Sequence, residues 1–303
     1  MMPGLLTDRP EIPSGARRFV SGVLTPTARF ESLVLSWNME HGPAGPSSLS
    51  VRVKASGVHW SAWFSAGTWP PRTYRPRSFD PLYGRMVIDE LKLRRPCVAA
   101  QYAVGAEAGI PPSMKVFVSS ARAQTPPDES SPPQVPPLTV PFYSQFSPRD
   151  LPDEAVREAG ACAPTSTAMV LSYYGTRVEP LDVASRAYDP QHRIFGNWPY
   201  LAAASGGFGF DAYVTHVGSW AQIAGWLREG IPPVLSIAWE EGELPGAPVR
   251  RSSGHLVVVA GLGPGGVTCY DPAAKQVPVC YPWREFGKVF WGHGGVAIII
   301  KRP

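Results

Sequence analysis

Residues 160–175 read GACAPTSTAMVLSYYG. The pattern predicts a helix over 162–174. Pro164 fits the first turn, where its missing N–H would have no intrahelical partner anyway. Thr165 and Ser166 are expected to satisfy free N–H groups there, and Gly175 supplies a stop. Met169, Val170, Tyr173 and Tyr174 provide a face to bury. Cys162 therefore stands at the positive end of the helix dipole, where a thiolate is stabilised and its pKa falls. A free cysteine is also an ordinary small core hydrophobe, so position alone leaves both readings open.

The surrounding sequence is mixed. Helices are expected at 153–159, 180–187, 198–205 and 219–229; in the last, Ser219 is the N-cap and Gly230 follows the end. Strands are expected at 233–239, 255–262, 266–272, 276–282 and 295–301. Helices first and strands later in one unit predict an α+β fold with an antiparallel sheet.

His255 opens the apolar run of SSGHLVVVAGL (252–262), and a polar side chain in a buried strand needs a partner. The next strand leads to Asp271. With a five-residue loop over Leu262–Gly266, His255 and Asp271 share a sheet face; an even-length loop puts them on opposite faces. GLGPGG (261–266) mimics a dinucleotide-binding fingerprint, but a strand follows where a helix should begin, so it reads as the hairpin turn. The order Cys…His…Asp offers a thiol nucleophile, a base for its proton and an acceptor that fixes the base's tautomer.

Upstream, segments 31–40, 48–57, 59–67, 83–94 and 113–121 alternate apolar and polar residues between Gly, Pro and Asn clusters, as in an all-β sandwich. With 35 prolines, 30 glycines and only 17% charged residues, the composition opposes a helical bundle. Trp37, Trp60, Trp63 and Trp69 fill a sandwich core or, exposed, stack on sugar rings; strand parity sets Trp60 opposite to Trp63. The proline-rich stretch AQTPPDESSPPQVPPLTVP (123–141) marks the boundary. The expected organisation is a tail over 1–15, a β-sandwich over 16–121, a linker over 122–138 and an α+β domain over 139–303.

Net charge is +4, and residues 1–120 carry 14 basic and 8 acidic side chains, an excess of +6. Arg72, Arg75 and Arg77 form a local cluster, but no nucleic-acid motif accompanies them. Cys97, Cys162, Cys269 and Cys280 neither form a disulfide framework nor show zinc spacing; Cys269 and Cys280 flank a turn as a cross-strand disulfide or as two separate thiols. No apolar run is long enough to span a bilayer, and no signal-peptide pattern is visible, which leaves a cytoplasmic location open.

CAPTSTAMVLSYYG, with VPFYSQF before it, YDPQHRIFGNWPYLAAASGGFGFDAYVT between and GHLVVVAGL…YDPAA after it, resembles the C39-like cysteine peptidase family over roughly 139–303. Four motifs occur in the family's order. Alanine flanks Cys162 where glycine is frequent in the family. The resemblance implies a papain-like fold, a nucleophile at Cys162, a general base at His255, an orienting acid at Asp271 and an oxyanion-hole glutamine at Gln145. The β-rich region resembles a module found with this domain in exported bacterial proteins, which implies an exported or cell-envelope protein. The implied partner is a peptide or amide substrate, with neither metal nor organic cofactor. A scaffold that binds an envelope glycan without catalysis, or an amidase or acyltransferase with the same triad, stays open.

Overall fold

The computed structural model describes residues 5–8, 10–13, 15–39, 45–122, 133–146 and 160–303. The expected helix at 153–159 lies outside these residues. The chain forms two compact units that do not follow one cut in the sequence.

The first unit is a β-sandwich. Its strands are β1 (Leu5–Asp8), β2 (Arg18–Val20), β3 (Phe30–Asn38), β4 (Ser47–Lys54), β5 (Phe64–Trp69), β6 (Phe79–Asp80), β7 (Gly84–Val87), β8 (Glu90–Cys97), β9 (Ala99–Ala106) and β10 (Lys115–Ala121). One sheet runs β1-β10-β3-β8-β7-β6, the other β2-β9-β4-β5. Alternation sends Leu49, Val51 and Val53 inward and leaves Ser48, Ser50, Arg52 and Lys54 outward. Trp37 and Trp69 are buried in this unit. The stretch read as one strand over 83–94 is a hairpin, β7 to β8, turned at Ile88 with φ 58°. A β-branched residue rarely adopts that conformation, so the sequence carries no turn signal there.

Two later segments also pack in this unit: α3 (Trp198–Gly206) and β11 (Asp211–His216). Asn38 holds both. Its Nδ2 donates to the Ala202 carbonyl at 3.1 Å and its Oδ1 accepts from the Ala212 N–H at 2.8 Å. Asn197 caps α3, accepting from the Tyr200 N–H at 3.2 Å, as its sequence position predicts.

The second unit contains α1 (Cys162–Tyr173), α2 (Pro180–Ala187), α4 (Trp220–Arg228), β12 (Val234–Trp239), β13 (Ser252–Gly263), β14 (Gly266–Tyr270), β15 (Val279–Tyr281), α5 (Trp283–Trp291) and β16 (Val296–Lys301). Its strands pair antiparallel in the order β16-β12-β13-β14-β15. Ser219 caps α4 through the Gln222 N–H at 3.3 Å. The end of the proline-rich stretch belongs to this unit: Val135 exchanges two hydrogen bonds with Leu262, and the Leu138 N–H donates to the Ala260 carbonyl at 2.9 Å. Gly261 permits this approach, because a Cβ there would lie 2.7 Å from the Pro137 Cα.

Cys269 stands opposite Val279, whereas Cys280 stands opposite Thr268. The two thiols therefore point to opposite faces of the sheet, and both are free. No helix among the described residues is long and apolar enough to cross a membrane.

Candidate active site

Cys162 is the first residue of α1. Thr165 and Ser166 do not cap this helix as their positions suggested. The Ser166 hydroxyl donates to the Leu256 carbonyl at 2.9 Å, the Thr165 hydroxyl has no hydrogen-bond partner among the described residues, and the N-cap Ala161 supplies no side-chain cap. The Ser166 bond ties the helix to β13 next to His255. The uncapped end leaves the Ala163 N–H to stabilise the Cys162 sulfur.

The β13–β14 hairpin brings His255 and Asp271 together by an unexpected route. Its turn is only Pro264–Gly265, with Gly263 opposite Gly266, so the loop has even length. That register alone would put His255 and Asp271 on opposite faces. The register then shifts: Gly261 pairs with Thr268, but Val259 pairs with Cys269. Ala260 is the extra residue of a β-bulge, and the bulge reverses parity for everything before it. Continuing past Val258 opposite Tyr270 puts Asp271 level with Val257, on the face of His255.

His255 Nε2 lies 2.8 Å from Asp271 Oδ1. Both side chains are buried, His255 with 4% of its surface exposed and Asp271 with none. Asp271 Oδ1 also accepts the Ala273 N–H at 2.8 Å, and its Oδ2 accepts the Tyr281 hydroxyl at 2.6 Å. Burial pushes the Asp271 carboxyl up, but these bonds and the His255 charge hold it below the usual carboxylate range.

His255 and Cys162 also act on each other's ionisation. Burial raises the Cys162 pKa; the His255 imidazole with its positive charge and the N–H groups of Leu256 and Ala163 outweigh burial and lower it. For His255 burial acts downward, while the bond to Asp271 and the influence of the Cys162 thiol win and raise its pKa. The two shifts favour a thiolate beside an imidazolium.

Gln145 reaches the same end of the hairpin. Its backbone N–H donates to the Pro272 carbonyl at 2.9 Å, one residue beyond Asp271. Its side-chain oxygen is buried without a hydrogen-bond partner among the described residues.

The sequence profile of the Peptidase C39 like family matches residues 137–298, more than half of the chain and all four of these positions. The chain belongs to the Peptidase C39 like family. A solved structure from Bacillus anthracis described as a C39-like peptidase is 20% identical, over 56% of this chain and 98% of that one, with a TM-score of 0.42. No curated protein matches significantly.

Two further residues of this C39-like site escaped sequence reasoning. The Trp239 ring meets His255 edge-on, with centroids 5.5 Å apart at 80°, and covers the imidazole. Tyr281 stands opposite Val267 and so shares the face of Cys269 and Asp271. The parity of QVPVCYP contains this signal, but only once its register against β14 is known. Tyr281→Phe is expected to leave Asp271 Oδ2 without its donor and to destabilise the fold by about 1–3 kcal/mol. A thermal melt beside the native protein measures that loss; an unchanged midpoint would show the bond to be dispensable.

Proposed function

We propose that this chain is a cysteine peptidase-type hydrolase that cleaves peptide or related amide bonds through an acyl-enzyme. The observation that carries the reading is the buried His255–Asp271 pair, 2.8 Å apart, with Cys162 at the start of α1 held below its ordinary pKa by the same imidazole. The Cys162 thiolate attacks the carbonyl carbon and forms the C–S bond. The imidazolium of His255 returns its proton to the departing amine as the C–N bond breaks. Water then attacks the thioester, His255 takes its proton, and the carboxylate product leaves with the thiolate restored. Asp271 keeps Nε2 protonated and oriented. The Cys162 backbone N–H and the Gln145 side-chain amide are the oxyanion donors, each worth roughly 3–4 kcal/mol at comparable sites. The papain-like class of this fold and an exported, cell-envelope setting are proposed from the sequence resemblance.

An acyl-directed thiol probe tests the assignment without knowledge of the substrate. The native protein is expected to be labelled at Cys162, and Cys162→Ala to remain unlabelled. Equal labelling of both proteins would remove Cys162 as the nucleophile.

A further inference from the structure

The four strands of the β2-β9-β4-β5 sheet contain Arg18, Arg52 and Lys54 but no Asp or Glu. All three cations project from the outer face. Arg18 stands opposite Gly105, which stands opposite Ser48, and Ser48 shares its face with Arg52 and Lys54. Between the two ends the floor carries Ser50 and Ala103, with the exposed Val20 opposite Ala103.

At one end sits a fixed aromatic–cation group. The Arg52 guanidinium lies 4.8 Å from the Trp60 ring centroid and 4.7 Å from that of Trp63. Trp60 and Trp63 thus share one face, because residues 61–63 are not strand and the parity between them does not apply. Arg52 Nε and Nη2 donate to Gln101 Oε1 at 3.0 and 2.6 Å, and Gln101 Nε2 donates to the Ser21 carbonyl at 2.8 Å. The guanidinium is therefore preset in orientation, with two of its five N–H donors used. Both indoles are half-buried and each gives one face to Arg52. Asp80 accepts the Ala62 N–H between the two indoles at 2.9 Å, and Glu107 borders the Ser48 end. Two indoles on one oriented guanidinium, beside strands that carry hydroxyls and no acid, suit a ligand.

We infer that this sheet face binds an acidic polysaccharide, with a sugar stacked on Trp60 or Trp63 and a uronic-type carboxylate on Arg52. Indoles present an apolar body to sugar C–H groups, and arginine matches a carboxylate with a paired fork. Charge spacing decides against a nucleic acid. From Ser48 to Lys54 the face is about 20 Å long, so three cations give roughly one charge per 7 Å, whereas a nucleic-acid strand carries one per about 3.4 Å. A sparsely charged, hydroxyl-rich chain fits better.

The test is a titration of the full chain with hyaluronate, which carries one carboxylate per disaccharide, beside neutral dextran and a single-stranded oligothymidylate. The expected result is salt-sensitive binding of hyaluronate, no binding of dextran and weaker binding of the oligonucleotide. Trp60→Ala and Arg52→Gln are expected to weaken hyaluronate binding at least tenfold. Arg18→Glu, a surface change at the far end of the face from the indole stack, is expected to weaken it as well with an unchanged melting midpoint. No binding of hyaluronate, native affinity in all three variants or tighter binding of the oligonucleotide would each overturn the inference. Binding is read without turnover, so its outcome is independent of the hydrolase reading.

Discussion

His255→Ala is expected to slow alkylation of Cys162 by a neutral reagent at pH 6 by tenfold to a hundredfold and to move the reaction to alkaline pH. The thiolate is the reacting species. In the native protein the imidazole of His255 and its charge hold the Cys162 pKa below its ordinary value against the opposing effect of burial. Without His255, burial prevails over the two backbone N–H groups, and the thiol ionises above its usual range. At pH 6 an ordinary thiol of pKa near 8.5 is only about 0.3% thiolate. The lower nucleophilicity of a low-pKa thiolate offsets part of that difference, which sets the lower bound. A pH–rate series for native and variant proteins checks the result. Coincident profiles would mean that the imidazole does not hold the thiolate.

Asp271→Asn is expected to lower turnover, measured on any cleaved peptide, by about 10²–10⁴-fold. Loss of the carboxylate in a related serine triad costs about 10⁴, and a thiol with a depressed pKa needs less help from its base. The amide keeps the shape of the carboxylate but not its charge, which raises the His255 pKa despite burial. With that charge gone, the imidazolium loses its proton at lower pH. The alkaline limb of the pH–rate profile is therefore expected to move to lower pH, while a purely structural role would reduce stability and leave the limb in place.

Much of this protein was legible because its local signals agree. In α1, proline in the first turn, an apolar face and a terminal glycine point to one helix, observed at Cys162–Tyr173. Ser219 and Asn197 were readable as caps because a side-chain acceptor at a helix start has little else to do. Three of the elements without such a signal show why. β9 reads AAQYAVGA, rich in alanine and glycine, which have little intrinsic preference for strand. β11 is six residues long and its half-polar sequence, DAYVTH, carries no clear alternation. α5 carries Gly287 at its centre among aromatic residues, a poor helix by propensity. The glycine is explained by packing: a Cβ there would meet the Trp291 and Trp220 rings at 3.4 and 3.5 Å.

The sequence alone determined which residues could do the chemistry: a cysteine at a helix start, a histidine at the head of a buried strand and an aspartate on the next. It also determined that two strands separated by Gly-Pro-Gly would fold back as a hairpin. Whether His255 and Asp271 face each other was decided by tertiary structure. The even-length turn separates them, and the bulge at Ala260 restores their common face. The proline-rich segment crosses the hairpin at that point, with Leu138 bonded to Ala260 and Val135 to Leu262. A one-residue register shift has no local sequence signature when the residue is a buried alanine, because strand parity depends on pairing with chain far away in sequence.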